Sequence, residues 1–280
     1  MNYRFNMNDW LPRFPLAPRH VGSYQADIIT SPCHLCNNEQ LRQELDGSQE
    51  WGRSLPVDVF VMAQGEPENR YATKIAGLPY RPANLGWPLD EAGAPLLFLA
   101  QFSFLDSRDI VPDLPNELLL IFVGNDGSLR FEWQPLGLEE LTDGSDAPPQ
   151  EVPTLPCYGY IFRTESFPDV PFLVDDLTVR GMRVEQSFLL PRFQATQIGP
   201  APFLIQEHLR TDPQLGRLLC TLNSVDPDPR GPFPFVNRPE PILSQGQRVS
   251  ESRYFRFDDA GCIYISIDQS GQLHSCCCSY

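Results

Sequence analysis

Cys33 and Cys36 stand in a C-x-x-C, the spacing at which two thiolates can hold one edge of a tetrahedral zinc site. Three more thiols follow one another at Cys276, Cys277 and Cys278. A strand there turns Cys276 and Cys278 to one face and Cys277 to the other. If the two ends of the chain meet, Cys33, Cys36, Cys276 and Cys278 form a candidate zinc set, with His34 or His274 as further donors. One C-x-x-C is only half of a metal signature, so the plainer reading is free thiols in a loop beside a helix and in a strand. A thioredoxin-like redox role is weaker, because no βαβ pattern surrounds the motif.

Other constellations carry less. Cys262 and His274 have the types for nucleophile and base, but Cys262 lies between Gly261 and Ile263 in a strand pattern and reads as core packing. Asp175/Asp176 and Asp258/Asp259 are adjacent acids, whose side chains point to opposite sides in a strand. Asp226 to Gly231 (D-P-D-P-R-G) alternates acids with proline, which forbids the backbone of an EF-hand calcium loop. The sequence has no G-x-x-x-x-G-K-[ST], G-x-S-x-G or H-E-x-x-H, and no G-x-G-x-x-G after a strand. No catalytic residue is assigned.

The elements that must position these side chains are short. The 29 prolines are about twice the usual share of roughly 5%. Proline removes an amide donor and fixes φ, which rules out long helices and a large parallel sheet. Net charge is −15, repelling phosphate backbones and anionic lipid, so neither nucleic acid nor a membrane surface is an expected partner. Met1 to Pro15 lacks the apolar stretch of an export signal, and no apolar run nears the ~20 residues of a spanning helix. The expected location is the cytoplasm, with the thiols reduced unless they hold metal.

Residues 1–55 read as an N-terminal extension containing the C-x-x-C and a helix near Asn38 to Asp46, capped by Asn37 or Asn38 and stopped by Gly47. Strands then follow at Val57 to Met62, Pro95 to Phe104, Glu117 to Val123 and Ser128 to Trp133, the last two joined through Asn125, Asp126 and Gly127 as a hairpin. Asp143 to Pro156 is a Gly-, Asp- and Pro-rich linker. Further strands are expected at Tyr158 to Thr164, Phe172 to Val174, Arg217 to Leu222, Tyr254 to Phe257 and Gly261 to Asp268.

The halves echo one another. A-T-K-I-A-G-L-P-Y at Ala72 to Tyr80 matches A-T-Q-I-G-P-A-P-F at Ala195 to Phe203, and L-I-F-V-G-N-D-G-S-L at Leu120 to Leu129 matches Y-I-S-I-D-Q-S-G-Q-L at Tyr264 to Leu273. The expectation is an α+β fold, mainly antiparallel β. Two diverged copies of one sheet-forming unit, at 56–150 and 151–280, pack into one compact body over 55–280.

The string K-I-A-G-L-P-Y from Lys74, G-W-P at Gly86 to Pro88, G-A-P-L-L-F-L-A-Q-F at Gly93 to Phe102, the loop Asp113-Leu114-Pro115 and D-A-G-C-I-Y-I at Asp259 to Ile265 together resemble the uncharacterised bacterial YwqG family. The resemblance spans about residues 70 to 280. It departs in the second half, where no Trp-x-Gln closely follows Phe203. It implies a fold and no activity, since folds do not fix functions.

Aromatics on rigid proline loops lose little entropy on docking, so matching turns facing a common groove would suit a protein or peptide. The candidate cleft is Lys74, Tyr80, Trp87, Gln101, Phe203 and Gln206. The expected function is a non-catalytic binding module in the cytosol, with neutralisation of a basic toxin as one setting. The competing class is an enzyme with an unfamiliar site, zinc-assisted through Cys33 and Cys36. Oligomeric state is left open.

Overall fold

The computed structural model describes residues 11–13, 55–150, 154–163, 195–199, 216–225, 236, 254–257 and 261–278, together with the backbone of 164–166, 177–179, 182–184, 242–244 and 247–249. The described residues form an antiparallel β structure whose one helical piece is a single 3-10 turn, Leu11–Arg13. This overturns the α+β expectation. That expectation rested on the helix at Asn38 to Asp46, which lies outside the described residues. Within them, short apolar and β-branched runs punctuated by proline and glycine favour strands and leave no stretch long enough for a helix.

In chain order the principal strands of the first half are β1 (Leu55–Gln64), β2 (Lys74–Ile75), β3 (Leu97–Ser103), β4 (Leu118–Val123) and β5 (Leu129–Gln134). The second half has β6 (Cys157–Ser166), the pair β7 (Leu177–Val179) and β8 (Met182–Val184), then β9 (Gln197–Ile198) and β10 (Arg217–Asn223). It continues with the pair β11 (Ile242–Ser244) and β12 (Gln247–Val249), then β13 (Cys262–Ile267) and β14 (Leu273–Cys278). Ten of these make one sheet in the order β14-β13-β10-β9-β1-β6-β2-β3-β4-β5.

The order shows that each half lends its first strand to the other. β1 and β6 pair antiparallel from Leu55 against Ser166 to Gln64 against Cys157. Beyond this central pair, β1 continues into β9 of the second half and β6 into β2 of the first. Corresponding bonds recur on both sides. Phe60 N–H donates to Thr196 O at 3.0 Å and Gly159 N–H to Thr73 O at 2.9 Å. The Thr73 hydroxyl accepts from Ser103 N–H at 2.9 Å, the Thr196 hydroxyl from Asn223 N–H at 3.2 Å. A bulge interrupts β3–β4 between Phe98 and Ala100, and another interrupts β10–β13 between Leu218 and Cys220. Bulges bend strands and sharpen twist, and the sheet curls into a nearly closed barrel.

One apolar cluster fills the inside and draws on both ends of the sheet: Phe60, Met62, Ile75, Phe102, Leu119 and Ile121 with Ile198, Leu222, Ile263 and Ile265. Burying side chains of this size stabilises the fold by about 1.5–3 kcal/mol each before entropy is charged. On the outside, Tyr80, Leu96, Phe98, Leu118, Leu120 and Phe122 are buried under the loops of the first half, and Cys262, Tyr264 and Cys278 form the outer cluster of the second.

The segment from Phe104 to Val111 is tied to the barrel by an ion pair between a buried carboxylate and an exposed guanidinium. Asp58, fully buried in β1, takes a two-pronged bond from its register partner Arg163, Nε to Oδ1 at 2.7 Å and Nη2 to Oδ2 at 2.8 Å. Ser107 Oγ donates to Asp58 Oδ2 at 2.7 Å, and Arg163 also grips Asp109 at 2.6 and 2.9 Å and Asp106 O at 2.8 Å. The bond to Asp58 first, then Asp109, raises the Arg163 pKa and keeps the guanidinium charged. Removing Arg163 leaves the enclosed Asp58 carboxylate without its cation. Because water reaches the 41% exposed Arg163 side chain, Arg163→Ala is expected to lower unfolding free energy by about 2 kcal/mol, less than a fully enclosed pair would give. Arg130 lies 3.5 Å from Glu132, and Arg130→Ala, which leaves no buried charge behind, costs less than about 1 kcal/mol. Urea denaturation of both variants checks the contrast.

Candidate functional site

Lys74, the sole lysine of the chain, is fully buried in β2. Its Nζ lies 3.1 Å from Glu66 Oε2, while Glu66 Oε1 accepts Leu78 N–H at 2.8 Å. The turn after β2 folds around this carboxylate. Ala76 and Gly77 both take positive φ, 56° and 78°, and a Cβ on Gly77 would stand 1.7 Å from Glu66 Oε1. Burial lowers the Lys74 pKa, and the Glu66 charge partly restores it. The glycine is thus required twice, for its dihedral and for the space the carboxylate occupies.

Gln101 sits opposite Lys74 in the β2–β3 register and is also buried. Its Oε1 accepts Tyr80 N–H at 2.8 Å, and its Nε2 donates to Arg70 O and Ala72 O, each at 2.8 Å. Tyr80, itself buried, accepts Leu138 N–H on its hydroxyl at 3.0 Å. Trp87 is half-buried, with Nε1–H on Leu96 O at 2.7 Å and its ring edge-on to Phe122 at 5.9 Å. The structure therefore brings four of the six candidate cleft residues to the outer side of the first half, with their polar atoms bonded inside the molecule. Phe203 and Gln206 lie outside the described residues.

What the spacing of these residues does not reveal is the display of their neighbours. Leu85 and Leu89, on either side of Trp87, are 47% and 48% exposed. Both leucine carbonyls are held, Leu85 O by Arg81 Nη1 at 2.8 Å and Leu89 O by Arg130 Nη1 at 3.2 Å. Asp90 Oδ1 caps the turn by accepting Ala92 and Ala94 N–H, and Leu96 N–H donates to Pro88 O at 2.9 Å. The two arginines also meet Glu132, Arg81 at 2.8 Å and Arg130 at 3.5 Å. The available sequence signal was a pair of leucines flanking G-W-P in an otherwise polar loop.

A concavity of about 710 Å³ lies where Asp113 meets Gly216, Arg217, Ile267 and the β13–β14 turn, Asp268 to Gly271. Arg217 Nη2 donates to Pro112 O at 2.7 Å across it. Asp268 is bonded by His274 Nε2 at 2.9 Å and by Ser270 Oγ at 2.6 Å, which holds its carboxyl well below the usual range, His274 contributing most.

Of the candidate zinc ligands, Cys276 and Cys278 share one face with Sγ atoms 3.7 Å apart, and Cys278 pairs with Cys262 across the hairpin. Cys33 and Cys36 lie outside the described residues, and among the described residues no group of three metal-binding side chains comes together. Desolvation pushes Cys262 and Cys278 up to about 12, so these thiols are protonated at neutral pH and weak nucleophiles.

Residues 73–136, which run from just before β2 to just past β5, match the family described as Domain of unknown function (DUF1963). That segment of the chain is thus similar to an uncharacterised domain family. No curated protein matches the chain.

Gly77→Ala is expected to cost about 2 kcal/mol, since it combines αL strain with displacement of Glu66, and a thermal melt checks it. The thiols set an alkaline limit. For Cys157, Cys262 and Cys278, burial raises the folded values to about 12, above the 9.0 of a free thiol. Their contribution is thus whole below pH 9.0 and is lost as pH rises toward 12. Lys74 opposes this, because a lowered amine pKa adds stability as pH rises toward 10.5. The urea midpoint should fall above pH 9, and less steeply in Cys157→Ala.

Proposed function

We propose that this chain is a non-catalytic protein- or peptide-binding module of YwqG-like type, whose contact surface is the loop from Pro82 to Leu96. The observation that carries the reading is the pair of exposed leucines whose own carbonyls are clamped by Arg81 and Arg130. Apolar anchors on an already ordered loop bind without a large ordering cost, and the surrounding Arg–Glu pairs form a polar rim. The net charge of −15 favours a basic partner, such as a basic toxin or enzyme in the same cytoplasm, and makes encounter faster at low salt. The internal bonding of Lys74, Gln101 and Tyr80 supports the same view, because these groups are spent on geometry and offer no free acid or base.

The same proposal takes the scaffold as a tandem duplication. Its support is the recurrence of the threonine ties, the two bulges and the hairpin glycines Gly127 and Gly271, at φ 81° and 86°.

Leu85→Ser with Leu89→Ser tests the binding surface. Immobilised wild-type protein should retain a salt-sensitive set of polypeptides from lysate of the source cells, and the double variant, with an unchanged thermal midpoint, should lose it. Equal retention by both proteins, or none by either, refutes the proposal.

A further inference from the structure

The two ends of the sheet, β5 and β14, occupy corresponding places but differ in chemistry. β5 reads L-R-F-E-W-Q, and its outer face carries the Arg81–Glu132–Arg130 ion pairs. β14 reads L-H-S-C-C-C, with no acid, no Arg or Lys and no proline. Natural edge strands are blunted by such residues because a bare row of N–H and C=O groups is a template for another strand.

The open side of β14 can be assigned. Asp268 N–H closes the turn on Gln272 O at 3.0 Å, and the register then runs Leu273 against Ile267 to Cys278 against Cys262. In an antiparallel ladder the bonded and non-bonded pairs alternate. His274, Cys276 and Cys278 therefore turn their backbone groups toward β13, while Leu273, Ser275 and Cys277 turn theirs away. Among the described residues nothing pairs with that far edge. The side chains of Ser275 and Cys277 are exposed beside it.

We propose that this edge joins two copies of the chain, β14 against β14 in antiparallel register about a twofold axis through Ser275. Self-pairing sets Ser275 against its equivalent, Leu273 against Cys277, and His274 against Cys276. No like charges oppose one another, and every outward N–H and C=O from Leu273 to Cys277 gains a partner. A second copy suits this strand because the strand is complementary to itself in this register and bears no acid, so the repulsion between two copies of net charge −15 is least there. The surface is separate from the Pro82 to Leu96 loop, so the two proposals stand or fall independently.

Light scattering on full-length protein across a concentration series should give twice the chain mass. Ser275→Lys, which adds a charge at the axis, and Ser275→Pro, which deletes an outward donor, should each halve that mass without shifting the thermal midpoint. A bonded antiparallel pair holds its Cα atoms roughly 5.5 Å apart, within the span of about 4.4–6.8 Å that a disulfide bridges. Ser275→Cys in a Cys277→Ser background should therefore cross-link under copper-phenanthroline and air, reversibly with reductant, while Cys277→Ser alone should not. A single chain mass at every concentration overturns the proposal. So does a doubled mass that survives Ser275→Lys and yields no cross-link.

Discussion

The pairing of β1 with β6 is the interaction on which everything else hangs. It joins ten residues of each strand in unbroken register, and on its two sides it hands β1 to the second half and β6 to the first. Neither half's part of the sheet is complete without a strand from the other. The price is that two strands far apart in sequence must find each other before either flank can add to them, which makes the topology rich in non-local contacts.

Polar groups along this framework act as fasteners. Asp58 and Arg163 face each other in the central pair and reach down to Ser107 and Asp109, so the loop beneath the barrel is held by the same residues that set the strand register. Gln101 does the equivalent on the outside, binding the chain before and after β2 through one amide. A carboxamide satisfies two acceptors and one donor there without charge, which a fully enclosed position favours over an ion.

The strands were legible because their signals were local. Asn125, Asp126 and Gly127 between two apolar runs marked the β4–β5 hairpin, and alternation over Gln272 to Ser279 placed Cys276 and Cys278 together. Tyr254 to Phe257 looked like a strand for the same reason but is irregular. Val225 N–H bonds Phe255 O, and Phe257 N–H turns to the Ser224 hydroxyl, so this segment is consumed in tying β10 to β13. Phe172 to Val174 lies outside the described residues. The burial of Lys74 was not legible, because its partner Glu66 approaches through a left-handed turn that no periodicity announces. The crossing of β1 and β6 between the two halves was equally hidden, since local strand signals do not say which neighbour a strand joins.

That buried lysine has a practical side. With Lys74 enclosed by the sheet and no other lysine in the chain, the folded surface offers no side-chain amine to acylating reagents or to enzymes that tag lysine. Amine labels applied to the native protein report on the α-amino group alone. Acquisition of a second label then becomes a clock for local opening at β2, read by mass, in a molecule that carries its own single-site probe.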